Sequence, residues 1–340
     1  MTSRHLHILP AVLLSAATAL AQSYTIADLG TLGGGASQAN SIGAWGVVVG
    51  VAEAKDETYH AFVYSGHAMR DLGTFGGSAS TALAVNASSQ VAGYYYDGGA
   101  KAFLWSDGKL TELGTLGSNS STAWALNNAG DVVGSSKTSD NNEHAFLFTG
   151  GHMIDLGTLG GKESIARGIN SSHQITGYSY DKAGDFLAFV WQGGTMTSLG
   201  TLGGNWSQGN AINDAGQIVG QAYTTGNEGA HAFLWNGGKM TDLGDLGFRY
   251  SNALALNSTG TVVVGYARYG MNYRAMVWTK GQMKDLNTVV RDASGWMLTS
   301  ATGVDDTGAV VGYGTYRGEE HAFLLTPEGS ASSARRRATK

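Results

Sequence analysis

His231–Gly244, HAFLWNGGKMTDLG, decides how this chain is read. HAFLW is a short apolar and aromatic run, Asn236-Gly237 is a strong signal for a two-residue type I′ turn, and GKMTDLG leads back. The segment therefore predicts a β-hairpin. With Asn236 and Gly237 as the loop, His231 is expected directly opposite Asp242.

The same layout recurs along the chain. A DLG-type element begins at Asp28, Asp71, Glu112, Asp155, Ser198, Asp242 and Asp285, at intervals of 41 to 44 residues. A HAF-type element begins at His60, Lys101, His144, Leu187, His231, Arg274 and His321. Between them lies a third element ending in a tight turn, as in AINDAGQIVG (211–220). Its first copy, SIGAWGVVVG (41–50), carries Gly43 where the others have Asn or Asp. Each period thus holds four short strands: A (SQGNAIN), B (QIVGQAY), C (HAFLW) and D (KMTDLG). Four strands in a period of 40–45 residues mark a propeller. No segment sustains the 3.6-residue period of a helix.

The expected fold is all-β, a single seven-bladed β-propeller with four-stranded antiparallel blades spanning 22–327. The chain after residue 21 opens with a lone D strand, SYTIADLG, and ends with strands A, B and C. The N-terminal strand is therefore expected to complete the C-terminal blade, which would remove a free edge and bring His321 to Asp28. The other copies place the two positions eleven apart: His60/Asp71, Lys101/Glu112, His144/Asp155, Leu187/Ser198, His231/Asp242 and Arg274/Asp285. The identities change together, as cross-strand partners should.

The repeat HAFLW…M.DLGTLGG..S.A..IN..GQ.VG resembles that of the HAF-repeat family, a group of repeat proteins regarded as extracellular. The resemblance covers about residues 24–326. It departs at Lys101, Leu187 and Arg274, and at FRYSN after Gly247. It implies export and a propeller-like fold, and it supplies no catalytic residue.

Residues 1–21 read as a signal peptide: Arg4 and His5, an apolar run over 8–20, then Ala19-Leu20-Ala21. That run is shorter than the roughly 20 residues of a spanning helix, so no membrane span is expected. The chain has no cysteine, which excludes disulfides, thiolate metal sites and a lipid anchor on cysteine. Without residues 1–21 and 335–340, 16 basic residues face 26 acidic ones, a net charge of −10. A body this acidic argues against nucleic acid as a partner. Residues 328–340, with Arg335-Arg336-Arg337, read as a disordered basic tail. A monomer is expected.

The repeated histidines do not make metal sites, because one His and one carboxylate per blade fall short of three or four ligands. DLGTLGG lacks the following helix and the Lys-Ser/Thr of a P-loop. Asn-x-x-Gly turns such as Asn213 to Gly216 lack a calcium ligand set and read as Asx-turns. No cofactor is expected. His173 stands where five other copies have Gly and is expected at positive φ.

The B–C connections differ in every copy and share one end of the ring with the D–A connections. They gather Tyr95, Tyr96, Asp97, Tyr180, Asp181, Asp185, Tyr223, Tyr269, Tyr316 and Arg317, joined by Trp206, Phe248, Arg249 and Tyr250. Variable loops on a rigid scaffold are where function concentrates. The expected function is an exported, non-catalytic binding or interaction module, its partner an extracellular carbohydrate or protein. Two alternatives stand beside it. One is an enzyme acting on polysaccharide or a small polar substrate, with Asp97, Asp181 and Asp185 as seeds of a carboxylate pair. The other is a structural surface or matrix protein.

Overall fold

The computed structural model describes residues 23–329. The expected signal peptide, and all but the first two residues of the expected tail, lie outside the described residues. The described residues form an all-β propeller of four-stranded antiparallel blades.

The hairpin of Ala230–Asn236 and Lys239–Asp242 forms strands C and D of one blade, preceded by strands A (Gly203–Ile212) and B (Ile218–Thr224). The four strands pair in chain order. The same meander recurs over 33–71, 80–112, 117–155, 160–200 and 250–285. Single parallel bridges, Phe186↔Trp206 and Ala230↔Tyr250, join strand C of one meander to strand A of the next across three of the meanders.

The hairpin register corrects the expectation. Asn236 pairs with Lys239, so the loop is Gly237-Gly238, with φ of 56° and 91°, and Asp242 faces Phe233 rather than His231. A type I′ turn needs positive φ at both central positions, and two glycines meet that without a Cβ penalty. His231 and Asp242 are therefore diagonal neighbours. The same shift appears at Phe62↔Asp71 and Phe146↔Asp155.

The C-terminal set, Trp296–Val304, Val310–Tyr316 and Glu319–Pro327, takes its fourth strand from the other end of the chain. Tyr24–Asp28 pairs antiparallel with Glu319–Pro327, from Tyr24↔Pro327 to Asp28↔Phe323. A short fifth strand, Val290–Arg291, adds parallel to the outer edge of Tyr24–Asp28, covering an edge that would otherwise stay open.

Each blade is centred on a large strand C side chain packed against a strand B glycine. That side chain is phenylalanine in every set but 250–285, where Met276 takes the place. Phe233 is fully buried and pairs with Gly220. A Cβ on Gly220 would come within 1.9 Å of the Gln208 carbonyl oxygen, so strand A approaches too closely for any side chain.

Adjacent blades are tied by a buried serine in strand A. Ser207 Oγ donates to the Gly200 carbonyl at 2.6 Å and accepts the Ala188 amide at 2.9 Å, satisfying two backbone groups of the preceding blade from the next one. Ser37 makes the same pair of bonds. It donates to Gly30 at 2.6 Å and accepts from Ala322 at 2.9 Å, which ties the first meander to the last. Leu29, Ala39 and Ile42 share a core cluster there with Val311 and Ala322.

Candidate functional site

The B–C and D–A loops group the expected residues locally. Tyr178, Phe186 and Trp206 form a stack, with centroids 4.1 and 5.3 Å apart. Tyr223 leans on Trp206 at 5.5 Å, and Tyr180 meets Phe186 edge-on at 5.2 Å. Because the rings cover one another, Tyr180, Trp206 and Tyr223 stitch two blades together at the site of a parallel bridge. Elsewhere Arg317 lies over Tyr316 at 5.0 Å, and Tyr316 stacks on Trp296 at 4.7 Å. Arg249 lies 5.8 Å over Tyr250, with its Nε bonded to the Glu228 carbonyl. Phe248 is half-buried, and Asp97 is exposed.

Two of these residues are engaged internally. Tyr95 is 5% exposed and packs on Phe75, at 6.1 Å between centroids. Its hydroxyl donates to Glu112, and that bond, followed by burial, pushes the phenol up to about 12. It is a core residue, because strand alternation turns it inward and Tyr96 outward. Asp181 closes its own turn, Oδ1 accepting from the Ala183 and Asp185 amides at 2.8 and 2.9 Å. Asp185 is half-buried at the end of that turn.

Sequence reasoning passed over other residues at this end. Of the seven large apolar side chains left exposed among the described residues, five lie there: Tyr59, Tyr96, Tyr269, Met271 and Met297. Tyr96 is 48% and Tyr269 63% exposed. Tyr59, Met271 and Met297 carried a readable signal, since all three lie in or beside the variable loops.

The cross-strand pairs form a separate system. His60, His144, His231 and His321 each place Nδ1 2.8–3.0 Å from a carboxylate oxygen of Asp71, Asp155, Asp242 and Asp28. Each Asp also accepts the amide of a glycine two residues on, such as Gly244 at 2.7 Å. The pair therefore fastens the exit of strand D. Ser198 does the same for Gly200 at 3.1 Å without an imidazole, with Leu187 at the diagonal place. Arg274 Nε lies 3.8 Å from Asp285. Lys101 and Glu112 depart from the pattern: Glu112 is taken by Tyr95, and Lys101 donates to the Asn119 carbonyl at 3.3 Å. Among the described residues, no group of three His, Cys, Asp or Glu could hold a metal.

At the opposite end, a cavity of about 810 Å³ is lined by strand A and its following turn from every set. Its rim is a hydrogen-bonded belt of asparagines. Asn86 and Asn170 donate to the Asn127 and Asn213 carbonyls of the next blade at 3.0 and 3.1 Å. Asn86 Oδ1 accepts the Ser88 and Gln90 amides of its own turn, as an Asx-turn should. The rim carboxylates are engaged as well: Asp214 and Asp306 cap the Ser171 and Ser258 amides, each at 2.8 Å. Trp45, 96% exposed at φ 62°, stands on the rim in the degenerate first copy.

His173, at φ 56°, reaches across to the neighbouring blade, its Nε2 2.8 Å from Asp131 Oδ2. Burial acts to raise the Asp131 carboxyl, but hydrogen bonds with Thr149, His173 and Asn127 outweigh it and hold it below its ordinary value. A depressed folded-state pKa contributes stability above the unfolded value, about 3.9, and that contribution is lost as pH falls through the folded one. Urea midpoints measured between pH 5 and pH 3 should therefore fall more steeply for the wild type than for Asp131→Asn. Equal slopes would mean that Asp131 carries no such linkage.

No family model matches the chain, and no curated protein matches it. Solved structures do. The β-propeller domain of the Trilobed protease from Pyrococcus furiosus, described as having an open velcro topology, has a TM-score of 0.56 at 8% identity, covering 91% of this chain and 96% of that one. The WD40 β-propeller domain of Doa1 gives 0.52 at 13%, covering 88% and 96%. TolB from Acinetobacter baumannii gives 0.49 at 12%, covering 88% of this chain. The chain spans 65% of that TolB, under two thirds of its length. At such identities the likeness is one of fold alone, a β-propeller. Among the described residues, no helix is long and apolar enough to cross a membrane.

Proposed function

We propose that this chain is an exported, non-catalytic binding propeller, a single closed ring of seven blades that recognises an extracellular carbohydrate at its variable-loop end. The observation that carries the reading is the concentration there of exposed large apolar side chains, Tyr59, Tyr96 and Tyr269 above all. Folding normally removes such groups from water, and a variable-loop end that keeps five of the seven exposed among the described residues is the favoured place for a binding surface. Open aromatic faces suit the apolar face of a sugar ring, and loop carboxylates such as Asp97 suit its hydroxyls. The strand pairing of Tyr24–Asp28 and the Ser37–Ala322 bond support the closed ring.

The test is a glycan and polysaccharide binding screen on the chain without residues 1–21, repeated on a Tyr59→Ala, Tyr96→Ala, Tyr269→Ala triple variant. Ring contacts contribute about 0.5–1.5 kcal/mol each, so the variant should lose at least about tenfold in affinity with its melting temperature unchanged. A wild type that binds no glycan would refute the carbohydrate reading.

A further inference from the structure

The axial cavity at the opposite end is lined by a cation with one unmet N–H. Arg167 is the one Lys or Arg lining it. Its guanidinium carbon lies 3.8 Å above the Trp124 ring, and its buried Nε has no hydrogen-bond partner. Tyr178 also lies near, with Arg167 Cζ 5.8 Å from its ring and its hydroxyl hydrogen-bonded to the Arg167 side chain, but among the ion pairs of the described residues none joins a carboxylate to Arg167. A cation held partly out of water with an unmet N–H is costly, and a bidentate anion relieves that cost.

The sequence column containing Arg167 points the same way. Three residues beyond the inter-blade serine, the chain carries Asn40, Leu83, Trp124, Arg167, Asn210, Leu254 and, at the matching place in the last set, Thr302. The position just before it is alanine or glycine in every copy, and the position two after it is Ile, Leu or Val. Ring packing fixes those neighbours. The cavity-lining column is free of that demand and has diversified into two amides, a hydroxyl, an indole, a cation and two leucines, a mostly apolar lining with a few placed polar groups, as small-molecule sites have.

We propose that this cavity binds a small monocarboxylate that carries hydroxyl groups, a sugar acid, with its carboxylate on Arg167 and its hydroxyls toward the asparagine belt. Three residues of strand separate Arg167 from Asn170, about 10 Å at the usual rise, which is the length of a sugar acid or a short oligomer of one. The volume lies within the range of ligand pockets. The rim carboxylates Asp214, Asp305 and Asp306 disfavour polyanions such as phosphates and leave a single buried carboxylate as the better match. The proposal is independent of the variable-loop reading, because it uses the other end of the ring.

Isothermal titration with galacturonate, gluconate and the methyl ester of galacturonic acid tests it on the chain without residues 1–21. The acid should bind, and the ester, which lacks only the charge, should bind at least about tenfold more weakly. Gluconate against galacturonate separates an open-chain from a ring-form ligand. Arg167→Gln should abolish acid binding, while the Tyr59, Tyr96, Tyr269 triple variant should leave it unchanged. Equal affinity for acid and ester, or no acid binding at millimolar concentration, overturns the proposal without recourse to a variant. Retained affinity in a folded Arg167→Gln protein overturns it as well.

Discussion

Gly220→Ala should cost about 3 kcal/mol or more, one of the largest single-site losses in the molecule. The new methyl would sit 1.9 Å from the Gln208 carbonyl oxygen and 2.9 Å from the Phe233 ring. Neither neighbour can give way. The first is backbone in the strand A–B ladder, and the second is the fully buried centre of the blade. Gly237→Asn separates this steric cause from conformational freedom. Gly237 has φ 56° and open space around its Cβ position, and asparagine tolerates that conformation, so the change should cost under about 1 kcal/mol. Urea denaturation of both variants checks the pair. Similar small losses would mean that strand A can withdraw from strand B.

The second large effect is expected at Tyr24. It is 1% exposed and packs among Leu286, Leu298 and Leu325, with its phenol pushed up to about 12 by burial. Tyr24→Ala should cost about 3–5 kcal/mol, the range for emptying a large aromatic site. It would also loosen the strand that joins the two ends of the chain. The loss should appear as a lower urea midpoint at unchanged slope. A cost below about 1 kcal/mol would mean that the N-terminal strand is dispensable to the fold.

The repeat, its strands and the meeting of the chain ends were legible because each is written as a local pattern that recurs. The hairpin register was not. Asn236-Gly237 and Gly237-Gly238 both satisfy a type I′ turn, and moving from one to the other shifts the pairing by two. An even shift keeps every side chain on its own face, so hydrophobic alternation cannot choose between them. The inter-blade serine was overlooked because a single small polar residue in an Ala-rich strand looks incidental. Only its constant offset from the preceding DLG glycine marks it.

The candidate surfaces were less legible. Tyr95 and Tyr96 are adjacent in a variable loop, yet one anchors the core and the other faces water. Deciding between them requires knowing which face strand B buries. Trp206 and Tyr223 have the composition of a binding platform, but Trp206 is covered by Phe186 of the neighbouring blade and Tyr223 leans on Trp206, contacts that no local pattern encodes. The cavity around Arg167 is assembled from residues about one period apart, so it shows itself only when the copies are compared column by column.

The joining of the chain ends has a mechanical corollary. The Glu328 amide bonds to the Ser23 carbonyl at 2.8 Å, and Tyr24 lies beside Pro327, so both described ends leave from the same end of one antiparallel ladder. Tension applied between them does not load that ladder in shear. It peels the strand away one bond at a time, beginning at Ser23, the geometry in which hydrogen bonds resist least. Tension applied between loops at opposite ends of a blade runs along the strands and loads a whole row of bonds together. A tether at either terminus therefore leaves the ring with a built-in release point, and a load carried by the body of the ring bypasses it.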